Sequence, residues 1–213
     1  MKTTERTATL EPKAHRLSAR DRLLEAADEL FYAEGVHVVG VDRIVERAGV
    51  TKASLYNAFG SKEELVRAYL DQHMRRRQEA ITRILATNET PKDRLLGVFA
   101  ELEGALAGSE FRGCRFIMAV AEARPGDASE AVAADYRAWL LSLFTDLAKA
   151  AGVRDYKRFG RQVSLLYDGA AVAARMDTDR KEAAKAMTTA VLALLDASAL
   201  ARPDELENRG RSK

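Results

Sequence analysis

Cysteine occurs once in the 213 residues, at Cys114. The chain can therefore build neither an internal disulfide framework nor a cysteine-rich zinc site. Proline (4) and glycine (13) are also scarce. An all-β sandwich or barrel needs turn residues at short intervals, so that class is not expected. No apolar run reaches the length of a bilayer span, and residues 1–20 lack an apolar signal core. A soluble, cytoplasmic chain with no membrane partner is the expectation. The three histidines, His15, His37 and His73, have no i,i+4 partner, so no metal site is expected. A nucleophile elbow, a P-loop and a dinucleotide fingerprint are all missing. Neither a catalytic residue nor a cofactor is expected, and the chain does not read as an enzyme. An excess of one charge is missing too: 34 Lys+Arg stand against 32 Asp+Glu. A net charge of +2 cannot hold nucleic acid by bulk attraction, so any such role needs a local patch.

What the chain does hold is Ala, Leu, Glu and Arg, all good helix formers. The pattern predicts an all-α fold of about nine helices. An N-terminal three-helix unit of helix-turn-helix type is followed by a larger helical part. Residues 1–15 read as a flexible basic arm, 16–76 as the helix-turn-helix domain, 77–203 as a ligand-binding and dimerisation domain, and 204–213 as a tail. Ser18 is a candidate N-cap for a first helix that Gly35 ends. A connector over 36–41 leads to short helices at 42–48 and 52–58. Ser61 and Glu64 form a capping-box pattern before a helix from 62 to about 86. Further helices are predicted at about 91–107, 112–123, 128–151, 155–176 and 179–200.

The informative stretch is Val41–Phe59, two short helices separated by a turn containing Gly49. Ala48 is small enough for close approach, Gly49 permits positive φ, and Val50 plugs the angle between the helices. Ile44, Val45, Leu55 and Phe59 would face the first helix. Thr51, Lys52, Ala53, Ser54, Tyr56 and Asn57 remain outward. Lys can contact guanine or phosphate, Asn can read adenine, and a methyl can sit against thymine. Tyr56, Ser54 and the helix N-terminus can donate to phosphate oxygens. Val41, Arg43 and Lys62 flank this set and complete the candidate DNA-binding residues.

From Ala48-Gly49-Val50-Thr51-Lys52-Ala53-Ser54-Leu55-Tyr56 through Phe59-Gly60-Ser61-Lys62-Glu63-Glu64-Leu65, the sequence resembles the TetR family of transcriptional repressors. The resemblance implies double-stranded DNA, a palindromic operator, as the partner. One recognition helix touches too few base pairs for useful specificity, so a homodimer is expected on two half-sites. The last two helices carry apolar stripes suited to pairing: Val163, Leu166, Ala170 and Ala174 on one, Met187, Val191, Leu194 and Leu195 on the other. The alternative is that both stripes face the protomer's own core. In the family the middle helices hold an effector cavity. The resemblance points to Phe99, Met118, Trp139 and Tyr167 as apolar lining, with His73, Glu122 and Asp168 as polar candidates. Each of these aromatics also reads as ordinary core, and each polar residue as a salt-bridged one. The segment Phe111–Glu122 resembles a recurrent motif of one subgroup. Cys114, flanked by Arg112 and Arg115, reads either as an inert core cysteine or as a redox sensor.

The expected function is a repressor that binds its operator as a dimer and is released by a small lipophilic or aromatic effector. A DNA-binding dimer without a small-molecule effector is the alternative, and an all-α enzyme a distant third.

Overall fold

The computed structural model describes residues 17–200, with side chains described through Ser198. The proposed arm (1–15) and tail (204–213) lie outside the described residues. Among those residues the chain is all-helical, with no strand: α1 Ala19–Glu34, α2 Val41–Ala48, α3 Lys52–Phe59, α4 Lys62–Thr87, α5 Pro91–Ala107, α6 Arg115–Glu122, α7 Ala128–Ala150, α8 Tyr156–Met176 and α9 Arg180–Leu200.

Local chemistry sets most of these boundaries. Ser18 Oγ accepts the Asp21 backbone N–H at 3.1 Å, Thr51 that of Ser54 at 3.2 Å, Ser61 that of Glu64 at 3.1 Å and Thr90 that of Asp93 at 3.1 Å. Each bond satisfies one of the orphan donors of a first helical turn. The expected return bond from Glu64 is not made, because its carboxylate turns to Arg67 at 3.4 Å. The helix expected from residue 112 begins only at Arg115. Residues 111–114 stay outside the helix, and Tyr32 of α1 holds the backbone of Arg112 and Gly113.

α1, α2 and α3 pack around Leu23, Ala27, Phe31, Ile44 and Leu55. Gly49, left-handed at φ 62, sets the α2–α3 turn, and Arg22 Nη1 donates to its carbonyl at 3.1 Å. α4 is continuous from the first unit into the second. Its Tyr69 ring meets Phe31 of α1 edge-on at 5.4 Å. α7 packs on α4, α5, α6 and α8, and α8 packs on α9. The α7–α8 crossing is tight: a Cβ on Gly160 would stand 3.0 Å from the Thr145 backbone.

Most residues of the stripes expected at a dimer interface pack within this interior. Val163, Ala170, Ala174, Met187, Val191 and Leu195 are buried in the protomer's own core, and Leu166 and Leu194 are half-buried against it. With α7 beneath α8 and α5 beneath α9, the widest apolar stripe of each helix is consumed inside the chain. Among the described residues, the large apolar side chains left exposed on these helices are Leu165, Val172 and Met176 on α8 and Leu192 on α9.

Candidate DNA-binding face and effector cavity

α3 presents one face outward because its other face is pinned by fully buried Leu55. Thr51, Lys52, Ala53, Tyr56 and Asn57 are exposed, and Ser54 is half-buried. Tyr56 is 50% exposed. Thr51 and Ser54 are bonded to each other at 3.0 Å, so both hydroxyls are oriented at the helix start. Two of the cations are already engaged. Lys52 Nζ lies 2.6 Å from Asp42, and Arg43 forms a two-pronged pair with Glu34 of α1. The carboxylates raise both cations' pKa values, so both stay charged. Val41 is half-buried at the start of α2. Lys62 is half-buried at the start of α4, and burial pulls its ammonium below the usual range despite Glu63 and Glu122 nearby. Arg20, which the outward set does not include, stacks over Phe59 at 4.9 Å and stands at the end of the same helix.

Between α1 of the first unit and α4, α5, α6, α7 and α8 lies an open cavity of about 180 Å³. Of the seven expected lining residues, His73, Tyr167 and Asp168 reach it. Phe99 stands one layer back, fully buried and stacked on Phe144 at 5.2 Å, because the Tyr167 ring lies between it and the cavity side. Trp139 meets the group through Tyr136 at 5.8 Å. Met118 and Glu122 belong to a different, more polar cleft shared with Tyr32, Gly35, Arg175 and Arg180. Glu122 is drawn there by the His37 backbone N–H, which it accepts at 3.0 Å. The apolar wall comes instead from Leu102, Ala105, Phe111, Phe116, Tyr136 and Ala171. Phe116 and Tyr136 stack face to face at 3.9 Å.

The polar residues that sequence reasoning passed over are Arg77, Arg115, Tyr32 and Asp28. Arg77 donates to Glu101 and to the Tyr167 hydroxyl. Burial acts against its charge, but Tyr167 and Glu101 outweigh it and the guanidinium stays protonated. The signal was present: Leu70, His73, Arg77, Ile81 and Ile84 share one stripe of α4, so the last member of the Arg75-Arg76-Arg77 run must turn inward. Arg115 stacks on the Tyr32 ring at 3.5 Å and pairs with Asp28 at 3.4 Å. Asp28 also accepts from His73 Nε2 at 2.8 Å and from Arg76 at 3.3 Å. Burial raises the Asp28 carboxyl, yet His73, Arg115 and Arg76 together hold it below the usual carboxylate range. Burial dominates at His73 and pulls it below its ordinary 6.5, so the ring is neutral at pH 7. Burial also pushes the Cys114 thiol up, which leaves it a protonated lining residue and disfavours a reactive thiolate. Asp168 is paired with Arg137.

One strip of chain serves two neighbours. Gly113, Cys114, Arg115 and Phe116 line the cavity. From the same strip, the Arg112 backbone N–H donates to the Tyr32 hydroxyl at 2.7 Å, and that hydroxyl donates to the Gly113 carbonyl at 3.2 Å. The wall of the cavity is thus hydrogen-bonded to α1, the helix on which α2 and α3 are packed.

A helix-turn-helix head joined by α4 to an all-helical body with its own cavity defines a class of DNA-binding regulators. Comparison with known proteins agrees. The family model for bacterial regulatory proteins of the tetR family matches residues 23–69. The crystal structure of SCO4454, a TetR-family transcriptional regulator from Streptomyces coelicolor, is 34% identical, with a TM-score of 0.81 over 85% of this chain and 96% of that one. The transcriptional activator FasR of Mycolicibacterium smegmatis is 41% identical over 76 residues, 36% of this chain and 35% of that protein. The transcriptional repressor KstR2 of the same species is 37% identical over 86 residues, 38% of this chain and 40% of that protein. The match thus spans well under half the length of these curated relatives. The chain belongs to the TetR family of transcriptional regulators. It is a DNA-binding regulator and not an enzyme.

Proposed function

We propose that this regulator is a ligand-released repressor that works as a homodimer on a palindromic operator. The observation that carries the reading is the shared strip 112–116, which lines the cavity on one side and is bonded to Tyr32 of α1 on the other. A ligand that binds more tightly to one placement of this strip biases the head by that difference in affinity. The head (16–76) reads DNA through Thr51, Lys52, Ala53, Ser54, Tyr56 and Asn57. Val41, Arg43 and Lys62 flank them, Arg20 adds a cation, and the body (77–203) holds the ligand and the partner copy. The apolar side chains on α8 and α9 that the core does not consume, Leu165, Val172, Met176 and Leu192, support pairing of two protomers through these helices. The cavity is lined mainly by aromatic and aliphatic groups, which favours a small aromatic effector.

The test is a mobility shift with the full-length protein and palindromic sequences from its own upstream region. Retarded DNA at low salt, released by a compound that also raises the melting temperature, supports the reading. No retardation at low salt overturns it. Retarded DNA with no compound from a broad lipophilic screen shifting the melting temperature overturns the effector part alone.

A further inference from the structure

The direction of α3 is held from the first turn of α1. Leu55, in the middle of α3, is the one buried side chain of that helix. A single central anchor is a pivot, and it leaves the two ends of the helix to be fixed by other contacts. At the near end, Arg22 of α1 donates from Nη1 to the Gly49 carbonyl at 3.1 Å. Gly49 is the C-cap of α2, and no backbone N–H among the described residues donates to its carbonyl. The guanidinium thus takes up a turn acceptor that neither helix uses, and its charge strengthens the bond. At the far end, Arg20 of the same turn of α1 stacks over the Phe59 ring at 4.9 Å. The ion pair between Lys52 and Asp42 also ties α3 to α2, but it uses a cation of the outward face. The Arg22 bond ends on backbone, so it does not compete with DNA for a side chain of α3. Leverage gives this bond its weight. The helix is about 12 Å long, so a tilt of about 10° at the turn carries its far end by about 2 Å. Hydrogen bonds to base edges hold only within a few tenths of an ångström of their best length.

We propose that Arg22 is a specificity-determining positioning residue, which sets the tilt of α3 by holding the turn in front of it and reads no base itself. Its side chain acts through Gly49, so its loss costs the contacts that depend on the angle of α3 and spares those made to any phosphate backbone. The inference rests on α3 being the helix that reads DNA.

The test uses the full-length protein, the palindromic duplex from its own upstream region that the mobility shift selects, and a scrambled duplex of the same length. Arg22→Ala is expected to weaken the palindrome about three- to tenfold. The scrambled duplex should stay within about twofold, and the slope of affinity against salt should match the wild type. Arg22 is exposed, so the melting temperature should hardly move. Arg22→Lys keeps a charged donor and should restore most of the discrimination. Equal loss on both duplexes with a shallower salt slope makes Arg22 a phosphate contact and overturns the positioning role. Discrimination kept in Arg22→Ala but lost in Asn57→Ala also overturns it, and leaves α3 as the reader. Discrimination kept in both variants removes α3 as the reader, and the positioning role falls with it.

Discussion

Arg43 and Lys52 are each engaged within the chain, with Glu34 and Asp42, before any DNA arrives. Exposed ion pairs of this kind are weak and screened by solvent, so a phosphate can displace the carboxylate easily. In the proposed complex Asp42 competes with DNA for Lys52. Asp42→Asn is therefore expected to tighten operator binding a few-fold at low salt, and this gain should vanish as salt rises. Lys52→Ala should weaken binding to all sequences alike. Asn57→Ala, at a base-reading position, should instead weaken the operator more than random DNA, by about 1–3 kcal/mol, whereas Tyr56→Ala, at a phosphate-contacting position, should weaken both DNAs alike. Mobility shifts against both DNAs separate the two kinds of loss. At the other edge of the head, Gly35 has φ 100, and a Cβ there would collide with the Glu122 carboxylate. Gly35→Ala should lower the melting temperature and loosen the His37–Glu122 contact that joins the head to α6.

Single helices show which features are legible in a sequence. Ser18, Thr51, Ser61 and Gly35 announce helix ends because capping is a local bond between near neighbours, and the structure places those ends within a residue of the expectation. α6 starts three residues later than its pattern predicts because Tyr32, 80 residues earlier, supplies the competing bonds. No local pattern carries that information. Arg77 is the intermediate case: its stripe on α4 was visible, but its partners Glu101 and Tyr167 come from α5 and α8. Two predictions belong to this scale. Gly160→Ala forces α7 and α8 apart at Thr145 and should cost about 1–3 kcal/mol, read as a fall in denaturant midpoint with unchanged slope. His73 is held neutral and below 6.5 in the fold. An unfolded chain therefore gains a proton there first as pH falls through 6.5, and stability is lost from that point downward. Asp28, depressed in the fold, adds a further loss only below its usual 3.8. The melting temperature should drop between pH 7 and pH 5, and His73→Gln should flatten that drop.

At the scale of the whole molecule, the amphipathic stripes of α8 and α9 could be recognised from the sequence but not assigned. A stripe says that a helix face is covered and not by which chain. Val163, Ala170 and Val191 are covered from within. The side chains available to a second copy are offset around the helix, at Leu165, Val172 and Leu192. Leu165→Asp and Leu192→Asp are expected to leave the helical content and melting of the protomer nearly unchanged while shifting the particle to monomer in sedimentation. Operator affinity should fall with it, because each half-site alone binds too weakly. A dimer that survives both substitutions would place the interface elsewhere.

The strip over residues 112–116 also bears on how such a regulator can be retuned as a sensor. Under the proposed mechanism, a substitution that shifts the backbone of that strip would change the ligand contacts and, through Tyr32, the resting position of the head together. Selectivity and output are therefore entangled on this side of the cavity. On the opposite side, Leu102 and Ala105 of α5 and Ala171 of α8 touch the cavity without any bond to α1. Under the proposed mechanism, variation there is expected to change which molecule fits while leaving the transmission untouched. A library confined to those three positions should yield new specificities with the wild-type dynamic range. One spread over 112–116 should mostly yield proteins locked on or off.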